Sequence, residues 1–148
     1  MTQFKLIVDS REQAAFEFSH QRYENVPVFV DGLKTGDYSF RGGEDYAIVE
    51  RKSMPDLLGS ISTRREPFER ELERAMELPC FMVVVEEPFR NLGCKEYQSN
   101  MNRNAAIQTV LSWMGKYRCS WFFAESRDGA EYATYHWLRH CHRRLNIS

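Results

Sequence analysis

Residues 36–61 read GDYSFRGGEDYAIVERKSMPDLLGSI, and this stretch decides the predicted fold. Two short strand-like runs, 37–40 and 46–51, flank a connection that contains the pair Gly42-Gly43, a pattern typical of a β-hairpin. Ser53 then stands three residues before a carboxylate, which is the spacing of a helix N-terminal capping box. Apolar residues follow at helical spacing, at Leu57, Leu58 and Ile61. The stretch therefore predicts a hairpin that leads directly into a helix.

The chain on either side of the hairpin predicts further strands and helices. Four more apolar runs indicate strands at 4–8, 26–30, 81–85 and 119–124. Capping patterns at Thr63 and Asp128 predict the starts of two helices. Apolar residues at helical spacing predict three helices, with stripes at Phe68, Leu72, Ala75 and Met76, at Ile107, Val110, Leu111 and Met114, and at Ala130, Ala133, Trp137, Cys141 and Leu145.

This order of elements predicts an α/β fold with a mixed sheet and flanking helices. Strands dominate the first third of the chain, and strands then alternate with helices. The length of 148 residues fits a single domain over 1–148.

The charge balance limits how the protein could bind nucleic acid. The chain has 20 Lys and Arg against 21 Asp and Glu, so its formal net charge is −1. Nucleic-acid binding through a large positive excess is therefore excluded, and any such function must depend on a local site. No apolar run is long enough for a membrane helix, and the N-terminus has no secretory pattern. The four cysteines form no CxxC pair and indicate reduced thiols in the cytoplasm.

Three charged residues of the hairpin region carry the candidate chemistry. Glu50 and Lys52 are two residues apart, so on a strand their side chains point to the same face. The hairpin could bring Asp37 beside them, and Asp9 ends another predicted strand. Carboxylate oxygens suit Mg²⁺ or Mn²⁺, and a nearby ammonium can orient water or stabilise developing charge. Taken singly, each residue also has an ordinary interpretation, as part of a turn, a strand end or a helix cap.

The surrounding residues make the pattern specific. Gly36-Asp37, a variable gap, Glu50-Arg51-Lys52, three residues and Asp56 together resemble the signature of the XPF-type structure-specific nuclease family. The stretch Ile7–Glu12 is similar to that family's opening strand. The resemblance covers roughly residues 4–86. It implies the restriction-endonuclease-like fold, a central mixed sheet with helices on both sides.

The resemblance also implies roles for particular residues. Asp37 and Glu50 would bind the metal, Lys52 would be the catalytic lysine, and the backbone carbonyl of Arg51 would face the metal. Asp9 and Asp56 would support the site, with Asp9 a further candidate ligand. The implied catalytic set is Asp9, Asp37, Glu50, Arg51, Lys52 and Asp56, with Arg11 and Glu12 as charged residues needed around it.

Four arginines are candidates for contact with DNA, beginning with Arg11 near the implied site. Arg65 matches the arginine of an Asp-Gly-Arg turn in the family, although it could equally pair with Glu69, four residues on. Arg143 and Arg144 lie in a basic, acid-free C-terminal segment. Their alternative interpretation is charge complementarity with the dipole of the predicted last helix.

The function implied by the resemblance is Mg²⁺- or Mn²⁺-dependent hydrolysis of DNA at a flap, fork or junction. The alternatives are a Holliday-junction-resolvase or restriction-like nuclease on the same fold, and a non-catalytic DNA-binding scaffold subunit. Many relatives carry a helix-hairpin-helix domain for which 148 residues leave no room. We therefore expect a stand-alone bacterial or phage form, in the cytoplasm, nucleoid or host cytoplasm. Members of the family pair through helices of the nuclease domain, and aromatic residues beyond those of the core could form an apolar interface, so we predict a homodimer. A DNA-binding partner protein could strengthen DNA binding.

Overall fold

A computed structural model describes residues 3–19, 21–93 and 101–147. It contains six strands, which are β1 (Leu6–Asp9), β2 (Val28–Asp31), β3 (Tyr38–Phe40), β4 (Ala47–Lys52), β5 (Cys80–Val85) and β6 (Ser120–Phe123). Its four α-helices are α1 (Met54–Ile61), α2 (Arg65–Ala75), α3 (Arg103–Lys116) and α4 (Arg127–Ile147). Short 3-10 turns occupy Gln21–Tyr23 and Phe89–Asn91.

The six strands form one mixed sheet in the order β2-β1-β3-β4-β5-β6. Strand β1 runs parallel to β2 and antiparallel to β3, and β3 is antiparallel to β4. Strands β4, β5 and β6 are parallel neighbours. The predicted α/β architecture is therefore confirmed, including the hairpin at its centre.

Helices cover both faces of the sheet because the strand side chains alternate between two apolar clusters. One cluster joins the odd-numbered residues of β5 to α1, α2 and α3, and it contains Trp113. The other joins Met82 and Val84 of β5 to α4 and to the segment after β1. Strand β5 is thus buried on both faces, as its continuous apolar run predicts.

The turn from β4 into α1 follows the predicted capping pattern. The Ser53 side chain caps α1 by accepting a hydrogen bond from the backbone N–H of Asp56 at 3.2 Å. The turn before β3 needs Gly36, which has a φ of +77° and lies so close to Ile48 that a side chain would collide with it. These two local features set where the hairpin begins and where α1 starts.

Two predicted helix caps are wrong. Helix α2 begins at Arg65 after Arg64, and no side chain caps it, so Thr63 does not have the predicted role. The backbone N–H of Arg64 instead bonds to the carbonyl of Gly59 at the end of α1. Helix α4 starts one residue before Asp128, and the Ser126 hydroxyl accepts the N–H of Gly129 at 3.0 Å. In both cases the preceding turn fixes the helix start.

The apolar spacing at Ile107, Val110, Leu111 and Met114 predicts a helix, which α3 confirms, but only part of that stripe is buried. Leu111 and Met114 are 52% and 45% exposed, whereas Ala106, Val110 and Trp113 are buried. The helix is rotated so that the large Trp113 ring packs against Phe68, with ring centroids 5.2 Å apart.

Among the residues described, no helix is both long and apolar enough to cross a membrane. Cys80, Cys119 and Cys141 are free thiols, and Cys94 lies outside the described residues.

Candidate active site

The β3–β4 hairpin brings Asp37 next to the charged end of β4. The backbone N–H of Asp37 bonds to the Val49 carbonyl at 2.8 Å, and the Asp37 Oδ2 accepts the backbone N–H of Arg51 at 2.8 Å. Glu50 and Lys52 share one face of β4, with Lys52 Nζ 3.5 Å from Glu50 Oε2. The predicted convergence of Asp37, Glu50 and Lys52 is therefore what the structure contains.

The two carboxylates lie where an ionised group is poorly solvated. Burial first, and then the negative charges of Glu12 and Glu71, together raise the pKa of Asp37 to about 7 against the opposing Arg51 N–H. Burial also raises the pKa of Glu50 well above its usual value, and the Asp37 charge adds to this effect. Lys52 opposes the shift at Glu50. The site therefore concentrates negative charge that a nearby cation would stabilise.

Glu71 of α2 is a site residue that sequence reasoning missed. Its carboxylate raises the pKa of both Asp37 and Glu50, and burial raises the pKa of Glu71 itself. Glu71 follows Phe68 by three residues and precedes Ala75 by four, so it lies on the apolar, sheet-facing stripe of α2. A glutamate on the apolar stripe of a predicted helix is the feature of the sequence that could have identified Glu71.

The Arg51 side chain points away from Glu50 and Lys52 into an ion-pair network. Its Nε and Nη2 contact the two Glu12 carboxylate oxygens at 2.7 and 2.9 Å, and its Nη1 contacts Glu86 at 3.2 Å. The side chains of Arg51 and Glu12 are only 9% and 5% exposed. Arg127 at the start of α4 also contacts Glu86, at 2.7 Å, and the carbonyl of Ala14. This network ties the end of β4 to β5, α4 and the segment after β1.

Asp9 is buried at the end of β1 and is held by local partners. Its carboxylate accepts hydrogen bonds from the Arg11 Nε at 3.0 Å and from the backbone N–H of Leu33 at 2.8 Å. Although burial opposes it, these bonds lower the pKa of Asp9. Arg11 remains largely exposed and extends to the Leu33 carbonyl. Asp9 thus holds in place the chain segment that follows β1. Its role as a metal ligand stays a prediction.

The other predicted residues lie at or beyond the rim of the site. Asp56 is exposed in the first turn of α1, and its backbone is part of the Ser53 cap. Arg65 pairs with Glu69 at 3.3 Å, which is the alternative that the sequence left open. Arg143 and Arg144 are exposed near the end of α4. Their roles in DNA contact stay predictions, as do the catalytic and binding roles of the other residues.

The residues present fit a hard divalent cation that keeps part of its water shell. Asp37 and Glu50 supply carboxylate oxygens, and their raised pKa values reflect burial and repulsion from neighbouring carboxylates. Within residues 3–19, 21–93 and 101–147, no three His, Cys, Asp or Glu side chains form a ready metal site. Mg²⁺ commonly uses one or two carboxylates and several waters, so two carboxylates suffice.

A mixed, helix-covered sheet that carries two carboxylates and a lysine at one edge has the arrangement of a restriction-endonuclease-like fold. The ERCC4 domain family model matches residues 8–135 of the chain. The chain therefore belongs to the ERCC4 domain family, and the family membership predicted from the sequence is confirmed.

Solved structures agree on the fold. The XPF structure from Aeropyrum pernix is similar with a TM-score of 0.72 at 22% identity, over 97% of this chain and 67% of that chain. The XPF structure from Aeropyrum pernix in complex with DNA gives 0.71 at 21% identity, over 96% of this chain and 66% of that chain. The chain thus spans about two thirds of these structures. No curated protein sequence matches the chain significantly.

Proposed function

We propose that this domain hydrolyses phosphodiester bonds of DNA at branched structures, with Mg²⁺ or Mn²⁺ bound by Asp37 and Glu50. The observation that supports the proposal most is the placement of Lys52 Nζ 3.5 Å from a buried Glu50 carboxylate, in a chain of the ERCC4 family. A bound divalent ion would polarise the phosphoryl oxygen and lower the pKa of a bound water.

The protein groups have distinct tasks in this proposal. Lys52 is restrained by Glu50 and by the Phe68 ring, whose centroid lies 4.6 Å from the ammonium. Its ammonium would orient the attacking water and stabilise the charge that develops on the phosphate. The Arg51 N–H holds the Asp37 carboxylate in place. The buried pair of Arg51 and Glu12 would keep the end of β4 rigid during the reaction.

A cleavage assay tests the proposal. Flap, fork, four-way junction and plain duplex substrates would be incubated with the protein and Mg²⁺ or Mn²⁺. We expect cleavage of branched DNA by the wild type, loss of cleavage in Lys52→Ala, and unchanged cleavage in Lys116→Ala, a matched control on distant α3. Cleavage by Lys52→Ala at the wild-type rate would contradict the role of this lysine.

The same substrate panel separates the alternatives. Preference for the four-way junction would favour a resolvase, and equal cutting of plain duplex would favour a restriction-like nuclease. A non-catalytic scaffold would cut none of the substrates and would bind no Mn²⁺. The presence of Asp37, Glu50 and Lys52 together argues against the scaffold.

We also propose that the domain forms a homodimer through the surface around α3 and β6. Leu111 and Met114 on α3 are exposed, and Phe122 on the edge strand β6 is 51% exposed. Such apolar residues are typical of subunit interfaces when they adjoin. Light scattering should give twice the monomer mass for the wild type and the monomer mass for Leu111→Glu. A monomeric wild type at all concentrations would contradict this proposal.

A further inference from the structure

Arg64, in the connection between α1 and α2, lies against the backbone of α1. Its backbone N–H donates to the Gly59 carbonyl at 2.8 Å, so the chain folds back on the helix end. Its guanidinium then covers Gly59 closely, and a methyl group at residue 59 would overlap Arg64 Cζ and Nη2. Glycine within a helix costs about 1 kcal/mol relative to alanine. A side chain at residue 59 would therefore push the Arg64 guanidinium aside.

This position brings Arg64 to the wall of the candidate active site. A cavity of about 240 Å³ is lined by Glu50 and Lys52, and also by Arg64, Glu71 and Arg74. Arg64 therefore shares a cavity with the two β4 residues to which the proposed reaction assigns roles.

Arg64 differs from its neighbour Arg65 in its partners. Arg65 contacts Glu69 at 3.3 Å and Thr109 at 3.5 Å, and it lies over the Trp113 ring. In the part of the chain that the structure describes, no carboxylate lies within 4 Å of the Arg64 guanidinium. A guanidinium presents planar donors suited to two phosphate oxygens at once. The guanidinium of Arg64 therefore has donors available at the cavity.

We propose that Arg64 binds a backbone phosphate of the DNA strand that enters this cavity, and that Gly59 allows its guanidinium to reach that position. The inference rests on the proposed function, since it deepens how that same site would hold its substrate. It also bears on the net charge of −1, because a cation beside the acidic pocket would offset its repulsion of the phosphates.

Fluorescence anisotropy of labelled branched DNA in EDTA, over a series of salt concentrations, tests the inference without hydrolysis. We expect Arg64→Ala to weaken binding about tenfold and to reduce the slope of log affinity against log salt by about 1, the loss of one phosphate contact. Gly59→Ala keeps the charge but displaces the guanidinium, so it should weaken binding comparably while leaving thermal stability unchanged or higher. Arg70→Ala, which changes an exposed arginine of α2 that does not line the cavity, is the matched control and should retain wild-type binding.

The outcomes distinguish this inference from the proposed function. If Arg64→Ala and Gly59→Ala both bind DNA with the wild-type affinity and salt slope, the inference is overturned. The proposed function would still stand if the wild-type protein cleaves branched DNA. An equal loss in Arg70→Ala would also overturn the inference, because a general charge effect would then explain the data. A wild-type protein that neither binds nor cleaves DNA would refute the proposed function and this inference with it.

Discussion

Replacing Asp37 by asparagine should stabilise the metal-free protein above neutral pH. The Asp37 carboxylate accepts the Arg51 N–H at 2.8 Å, and burial raises its pKa to about 7. Asparagine has the same shape and keeps an oxygen that can accept this hydrogen bond, but it carries no negative charge. The substitution therefore removes the repulsion from Glu12 and Glu71 with little change in packing.

The size of the effect follows from the pKa of Asp37. The folded state binds the Asp37 proton more tightly than the unfolded state, so this stabilising contribution is complete below about pH 4 and is lost as pH rises through about 7. A shift from 3.8 to about 7 is about 3 units, which corresponds to at most about 4 kcal/mol at pH 8. Because neighbouring carboxylates share the repulsion, we expect about 1–2 kcal/mol, or roughly 2–8 °C in Tm for a domain of this size.

Thermal unfolding in EDTA at pH 5 and pH 8 measures this effect. Asp37→Asn should exceed the wild-type Tm by several degrees at pH 8 and by a smaller margin at pH 5, where the folded wild type keeps most of the Asp37 proton. Asp45→Asn, on an exposed residue of the hairpin turn, is the control and should follow the wild type at both pH values. Added Mn²⁺ should raise the Tm of the wild type more than that of Asp37→Asn. Equal Tm values of Asp37→Asn and wild type at pH 8 would refute the reasoning.

Three further substitutions test other parts of the account. Glu12→Gln should lower the free energy of unfolding by about 2–4 kcal/mol in urea denaturation, because it removes the negative charge and one of the two acceptor oxygens that pair with the buried Arg51. A loss below about 1 kcal/mol would argue against the network. Ser53→Ala should cost about 1 kcal/mol in the same assay, because α1 loses its cap, and an unchanged midpoint would show that the cap contributes nothing. The double substitution Arg143→Ala and Arg144→Ala should reduce the slope of log DNA affinity against log salt by about 2. An unchanged slope would indicate that both arginines complement the dipole of α4 and do not contact DNA.

The sequence predicted the hairpin and the pair Glu50 and Lys52 because their signals are local. Strand alternation places both residues on one face, and Gly42-Gly43 and Ser53 mark the turn and the helix start. The partners of Arg51 could not be predicted in this way. Glu86 directly follows β5 and Arg127 begins α4, so only tertiary packing brings them to the end of β4.

Helix α3 shows that the spacing of apolar residues does not by itself determine which face of a helix is buried. The apolar residues that predict α3 are Ile107, Val110, Leu111 and Met114, whereas the buried ones are Ala106, Val110 and Trp113, and both sets fit a helical period. The choice between them depends on which side chains fill the space above β5 and β6, where Trp113 packs against Trp121 with ring centroids 6.1 Å apart. Side-chain volume in the assembled core decides this, and no local pattern encodes it.

The most direct test of the central claim is the rate of cleavage of a branched DNA in Mg²⁺ or Mn²⁺ by the wild type and by Lys52→Ala, measured beside their DNA affinities. The account predicts metal-dependent cutting by the wild type, and loss of cutting in Lys52→Ala while folding is retained and DNA binding persists. Cutting by the wild type that persists in EDTA, or equal cutting by Lys52→Ala, would contradict the assignment of Asp37, Glu50 and Lys52 as the active site.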